Sequence, residues 1–290
     1  MRVLLTGAEG QLGRCFSDRA GDLLEVLATD RKQLDITDID AVQKIINDFN
    51  PDAIVNAAAY TAVDKAESDY DAAYAINCHA VKNLASQASK LNIPFIHVST
   101  DYVFNGESKI AYNESDECDP KSVYGATKRA GELEALQSPK GIVIRTSWVF
   151  SEYGNNFVKT MLRLGVQRDA LSIVGDQYGC PTYAGDLAQA ILTMLATPNF
   201  MPGLYHCSGD ESVSWYQFAQ SIFNTAHASA SYPRIPVLSS ITTDEYPTPA
   251  ARPRYSVMNT NKLNAAGIAP GDWKKQLERV IPKILKEVSV

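Results

Sequence analysis

Tyr124 and Lys128, in the run Tyr124-Gly125-Ala126-Thr127-Lys128, stand four residues apart in a stretch that reads as the start of a helix. Residues at i and i+4 share a helix face, so a phenol and an ammonium can point into one cleft. A phenol ordinarily titrates near 10, and a neighbouring ammonium is expected to lower it by favouring phenolate. That brings a proton donor toward operating pH, where general acid catalysis is most effective. A second constellation lies far upstream, where Gly7-Ala8-Glu9-Gly10-Gln11-Leu12-Gly13 follows the apolar run Val3–Leu5. Glycines at Gly7, Gly10 and Gly13 permit a tight turn and close backbone approach, and a helix N-terminus behind them favours a pyrophosphate. Together the two sites imply an enzyme that delivers a hydride and a proton to a ketone.

Asp30, about twenty residues past the glycines, ends the second apolar run and can accept hydrogen bonds from an adenosine ribose, which favours NADH. Arg31 follows at once, and a guanidinium there could bind the 2′-phosphate of NADPH; both cofactors remain open. The bare Tyr-x-x-x-Lys pattern is expected about once by chance in such a chain, so its placement must carry it. That placement is specific: it opens the helix after the fourth strand, just downstream of Ser99-Thr100-Asp101-Tyr102 at that strand's end.

The elements that must position these residues alternate. Short β-branched runs at Val3–Leu5, Leu24–Ala28, Ala53–Val55, Phe95–Val98 and Ile142–Ile144 read as strands buried on both faces. Between them, Ile39, Val42, Ile45, Ile46 and Phe49 form a helical stripe stopped by Pro51, and Asp69 to Leu91 reads as one Ala-rich helix. Repeated strand–helix units predict a Rossmann-like, doubly wound α/β fold with a parallel sheet and right-handed crossovers. After about Phe150 the rhythm loosens. Helices are expected over Asn156–Leu164 and Gly185–Ala196, a strand over Leu171–Val174, and a capping box at Ser214-Trp215-Tyr216-Gln217. The expected division is 1–150 plus about 176–198 for the dinucleotide, with a smaller α/β region, about 151–175 and 199–290, for the substrate over the sheet's C-terminal edge.

Composition sets outer bounds. The chain has 290 residues, 45% hydrophobic and 21% charged, with a net charge of −6. That is an ordinary globular balance without the basic face that nucleic acid needs. No stretch approaches the roughly 20 apolar residues of a membrane span. Five scattered cysteines without a C-x-x-C argue against a disulfide framework or zinc cluster and fit a reducing cytoplasm. His79, His97, His206 and His227 lack H-E-x-x-H spacing, so no metal role is assigned.

The chain resembles the extended short-chain dehydrogenase/reductases and, within them, the dTDP-4-dehydrorhamnose reductase family. The resemblance runs through Gly7–Gly13, Asn56–Glu67, Ser99–Gly106, Tyr124–Lys128, Arg145–Phe150, Asn155–Leu164, Asp176–Thr182 and Tyr246–Pro253. It implies reduction of the C4 ketone of dTDP-4-dehydro-6-deoxy-L-mannose to dTDP-L-rhamnose, a cell-surface polysaccharide precursor, by NADPH or NADH. By position, Tyr124 would donate the proton and Lys128 would tune it and hold the nicotinamide ribose. Thr100 would bond the substrate oxygen, with Asp101 and Tyr102 beside it. Gly10, Gln11 and Leu12 would line the pyrophosphate, Asp30 the adenosine ribose, and Asp35, Ile36, Ala59, Tyr60 and Thr61 the rest of the cofactor. Trp148 would pack on the sugar nucleotide and Arg252 would meet its diphosphate. A homodimer and a Mg2+ ion at a subunit contact stay open, the ion without support from any residue cluster. Tyr60 stands where the family usually has His, Asn105 where Asp or Pro is common, and Arg254 where a small residue is usual. Two rivals share the fold. A dehydratase would follow Asp101 with a second carboxylate, where this chain has Tyr102; an epimerase or a regulatory subunit resembling that of methionine adenosyltransferase would not consume the cofactor.

Overall fold

The computed structural model describes residues 1–21, 24–229, 232 and 234–288. The first half alternates as expected: β1 (Arg2–Thr6), α1 (Gln11–Arg19), β2 (Glu25–Thr29), α2 (Ile39–Phe49), β3 (Ala53–Asn56), α3 (Val63–Ala66), α4 (Tyr70–Tyr74), α5 (Ala80–Leu91), β4 (Phe95–Thr100), α6 (Val123–Ala135) and β5 (Gly141–Thr146). The second half adds β6 (Val149–Phe150), α7 (Phe157–Gln167), β7 (Ala170–Val174), β8 (Tyr178–Gly179), β9 (Thr182–Tyr183), α8 (Ala184–Ala196), β10 (Gly203–His206), β11 (Val213–Ser214), α9 (Trp215–Ala228), β12 (Val237–Ile241), α10 (Asn261–Ala265) and α11 (Trp273–Val288).

The main sheet runs β2-β1-β3-β4-β5-β10 with every pairing parallel. Its side chains alternate between two cores. Val3, Leu5, Val55, Ile96, Ile142 and Ile144 join residues of α1 and α8 on one face. Leu4, Ile54, Phe95 and Val143 join residues of α2 and α5 on the other. A strand covered on both faces must be apolar throughout, which is why these runs lack polar alternation. The strand order reverses between β1 and β3, and their C-terminal ends open the crevice in which doubly wound folds hold ligands.

Two features differ from the sequence expectation. The helix over 70–91 is interrupted by a π-helical turn, Ala75–His79, which turns the buried Asn77 toward the sheet's C-terminal edge. The sheet also reaches past 198, because β10 continues it beside β5. The remaining segments build a third core from α7, α9 and α11, with Phe150, Leu162, Phe218, Phe223, Trp273 and Leu277. There the Ser214–Gln217 capping box opens α9 as its sequence predicts.

Candidate active site

The glycine turn is built by close contact. A Cβ on Gly13 would lie 2.3 Å from the Gly7 carbonyl oxygen, so α1 can begin under β1 only with glycine there. In front of the turn lies a cavity of about 450 Å³ lined by Gly7, Gly10, Asp30, Arg31, Asp35, Ile36, Ala59, Tyr60 and Thr61 among others. Nine of the residues expected at the cofactor thus meet around one opening. Asp30 accepts from the backbone of Lys32 and Gln33, at 2.9 and 2.8 Å. Thr37 donates twice to Asp35 and holds its carboxyl below the usual range. The side chains of Gln11 and Leu12 are not part of this lining. Leu12 is core, and Gln11 reaches Val149, Ser151 and Asn156, so only their backbone at the start of α1 faces the turn. Tyr60 donates through its hydroxyl to Asp69, while Asn77 grips its backbone N–H at 2.9 Å and its carbonyl at 3.2 Å.

A second group gathers at the C-terminal ends of β4 and β5. Ser122 caps α6, and a Cβ on Gly125 would lie 2.2 Å from the Tyr102 carbonyl oxygen; the helix therefore seats directly on the loop after β4. Asn77 ties this helix to the cofactor loop by donating to Thr127 at 3.1 Å. Thr100 donates to Asp101 at 3.0 Å, and Asp101 also accepts from Ser256 at 2.6 Å. Burial pushes the Asp101 carboxyl up to about 6. The rings of Tyr102 and Tyr124 meet edge to face, 5.6 Å apart, and burial pushes the Tyr102 phenol up strongly.

The expected effect of Lys128 on Tyr124 is corrected by the geometry. Tyr124 is half-buried, and desolvation pushes its phenol up to about 12, against a lowering hydrogen bond with Thr100. Lys128 is buried, and its Nζ donates to the Val98 carbonyl at 2.6 Å and lies 3.3 Å from His97 Nε2. One of its N–H donors is committed to β4, and desolvation brings the group down to about 8.

Two further expectations are modified. Arg252 is not a free anion receptor, because its guanidinium grips Asp64 of α3 through both nitrogens and the Ala250 carbonyl at 2.7 Å. Trp148, at a left-handed φ of 49°, stacks on Trp215 with ring centroids 3.4 Å apart, so one face is already covered. Sequence reasoning missed the polar residues behind the site. Arg145 and Glu132 form a buried ion pair with two contacts of 2.8 Å, joined by Ser99 and Arg129. Thr146, beside Thr100 across the β4–β5 pair, has a buried hydroxyl without a hydrogen-bond partner among the described residues. No spacing pattern announces such residues; only strand register brings them together.

Comparison with known proteins bears on this geometry. The RmlD substrate binding domain family matches residues 1–286. A dTDP-4-dehydrorhamnose reductase of Aggregatibacter actinomycetemcomitans is 46% identical over 96% of this chain and 98% of its own. The chain belongs to the dTDP-4-dehydrorhamnose reductase family. Among solved structures of that family, the Clostridium acetobutylicum protein covers both chains fully at 41% identity and a TM-score of 0.92. The Bacillus anthracis enzyme, solved in complex with NADP, covers 97% of this chain and 99% of its own at 38% identity and a TM-score of 0.91. Among the described residues no helix is long and apolar enough to cross a membrane, and no group of three or more His, Cys, Asp or Glu is arranged to hold a metal.

Proposed function

We propose that this chain reduces the C4 ketone of dTDP-4-dehydro-6-deoxy-L-mannose to dTDP-L-rhamnose, using NADPH or NADH. The observation that carries the reading is the seating of Tyr124 beside Thr100, with Lys128 one turn on, at the mouth of a doubly wound sheet whose glycine turn fits a dinucleotide. Asp30 and Arg31 both line the cavity, which gives either a ribose hydroxyl or a 2′-phosphate a partner. The backbone N–H groups at the start of α1 would face the pyrophosphate. When bound, the reduced nicotinamide supplies the hydride.

The protein's own groups handle the proton. A phenol held near 12 stays protonated at neutral pH, so Tyr124 enters the reaction as an acid. Desolvation makes it a weaker acid than an ordinary phenol, yet an alkoxide is more basic than phenolate, so the transfer still runs downhill. Thr100 would bond the carbonyl oxygen once its hydroxyl turns away from Asp101, and Lys128, brought down to about 8, would be the source that restores the phenol's proton. Remote binding of the nucleotide orients the sugar. Arg252, pinned in place by Asp64, would have its remaining N–H donors for the diphosphate. Residues 1–150 with about 176–206 would serve the cofactor, and the α7, α9 and α11 region the sugar nucleotide. The unpaired cysteines support a reducing, cytoplasmic setting.

The test is absorbance at the reduced-nicotinamide band with the dTDP-ketosugar, with UDP and GDP analogues alongside. The reading expects stoichiometric cofactor consumption that is fastest with the dTDP sugar. Turnover of the sugar with no net consumption would instead mean epimerase chemistry.

A further inference from the structure

Behind Lys128 runs a line of fully buried polar side chains that the proton step above does not use. Thr6 on β1, Asn56 on β3 and His97 on β4 occupy neighbouring strands, and His97 meets Lys128 of α6. Their hydrogen-bond directions can be assigned from one end. The Ala58 backbone N–H can only donate, and it donates to Asn56 Oδ1 at 3.2 Å, together with the Thr6 hydroxyl at 2.7 Å. The oxygen of the Asn56 amide is thereby fixed, and its NH2 must be the group 3.1 Å from His97 Nδ1. A neutral imidazole that accepts at Nδ1 carries its proton on Nε2, and Nε2 is the atom 3.3 Å from Lys128 Nζ.

An N–H facing an ammonium is a contact between two donors. Facing an amine it is a hydrogen bond, because the amine lone pair accepts it. We infer that Thr6, Asn56 and His97 form a directional relay that favours the neutral amine of Lys128, making His97 a positioning residue for proton return to Tyr124. The inference rests on the reductase reading only for what Lys128 does, not for the relay's direction. In the step, a Lys128 N–H bond breaks and the Tyr124 O–H bond forms, and the amine left behind accepts the His97 Nε2–H; a solvent proton then restores the ammonium. Other charged groups around Lys128 oppose or stand apart from this bias. Glu132, one turn on along α6, raises Lys128, but Arg145, Arg129 and Ser99 already hold it. Asp101 acts on Tyr124, and His97 has Lys128 as its charged neighbour. Burial keeps His97 well below the usual imidazole range, which supports the neutral ring the relay needs.

Two experiments on the full chain test this. In protein labelled with 15N-histidine, two-bond 1H–15N correlations report each ring's tautomer, and His97→Gln assigns the His97 signals among the four histidines. The relay requires a neutral Nε2–H ring from pH 6 to 9; an Nδ1–H ring or an imidazolium overturns it, whether or not the protein reduces a sugar. In the isosteric Asn56→Asp, the carboxylate accepts from Nδ1–H, and the Nε2 lone pair then welcomes the ammonium. The basic limb of the kcat profile for reduction should move up by at least one pH unit, and an unmoved limb in a folded variant refutes the relay. Should that variant fail to fold, the tautomer measurement decides alone.

Discussion

Asp101→Asn should remove a pH-dependent cost that the site imposes on the fold. The wild-type carboxyl is 2% exposed, and bonds from Ser256 and Thr100 only partly offset its lost hydration, leaving it at about 6 against an ordinary 3.8. A displacement of about two units corresponds to roughly 3 kcal/mol between protonation states. The folded state holds this proton more tightly than the unfolded chain. Its contribution is therefore complete below the unfolded value and is lost as pH rises through about 6. Asparagine has nearly the same shape, and Ser256 can turn its hydroxyl to accept from the amide. Urea unfolding of both proteins at fixed ionic strength, in steps from pH 4 to 7.5, isolates the effect as a difference. Relative to the variant, the wild type should lose roughly 2.5 kcal/mol across that window, since at pH 4 the unfolded carboxyl is already partly ionised. A flat difference, or one that rises with pH, would refute the claim that burial governs this carboxylate.

Glu132→Gln strands the Arg145 guanidinium in a dry interior and should cost about 3–5 kcal/mol in the same unfolding assay. A loss under 1 kcal/mol would show the pair to be well hydrated. Gly13→Ala drives a methyl group into the Gly7 carbonyl, so dinucleotide affinity, followed by quenching of protein fluorescence, should fall at least about tenfold, or about 1.4 kcal/mol. Arg252→Lys keeps the charge but loses the two-nitrogen grip on Asp64; KM for the sugar nucleotide should rise while kcat changes little.

The sheet was legible because strands covered on both faces lack polar alternation: β1, β3 and β5 carry continuous apolar runs, and β4 is interrupted only by His97 before its polar end. The glycine turn was legible because close backbone contact admits one residue type. The pairing of Tyr124 with Lys128 on one helix was legible from the motif's place just after the fourth strand, since its spacing alone is common. What the sequence hid depends on register or competition. His97 sits among apolar neighbours in β4, and nothing local reveals that Asn56 lies across the sheet from it. The π turn at Ala75–His79 reflects the pull of Asn77 toward Tyr60 and Thr127, a tertiary demand that Ala-rich helix propensity cannot report. Arg252 looked free because its partner, Asp64, is remote in sequence. The Tyr124 phenol was expected to fall and instead rises, because desolvation outweighs a cation that is turned toward Val98.

Turnover by Tyr124→Phe is the most direct test of the chemistry proposed for this fold. With the dTDP-ketosugar and saturating reduced nicotinamide, kcat should drop by about two to four orders of magnitude, while the dissociation constant of the cofactor stays near the wild-type value. Wild-type kcat in that variant would mean that the proton comes from somewhere else.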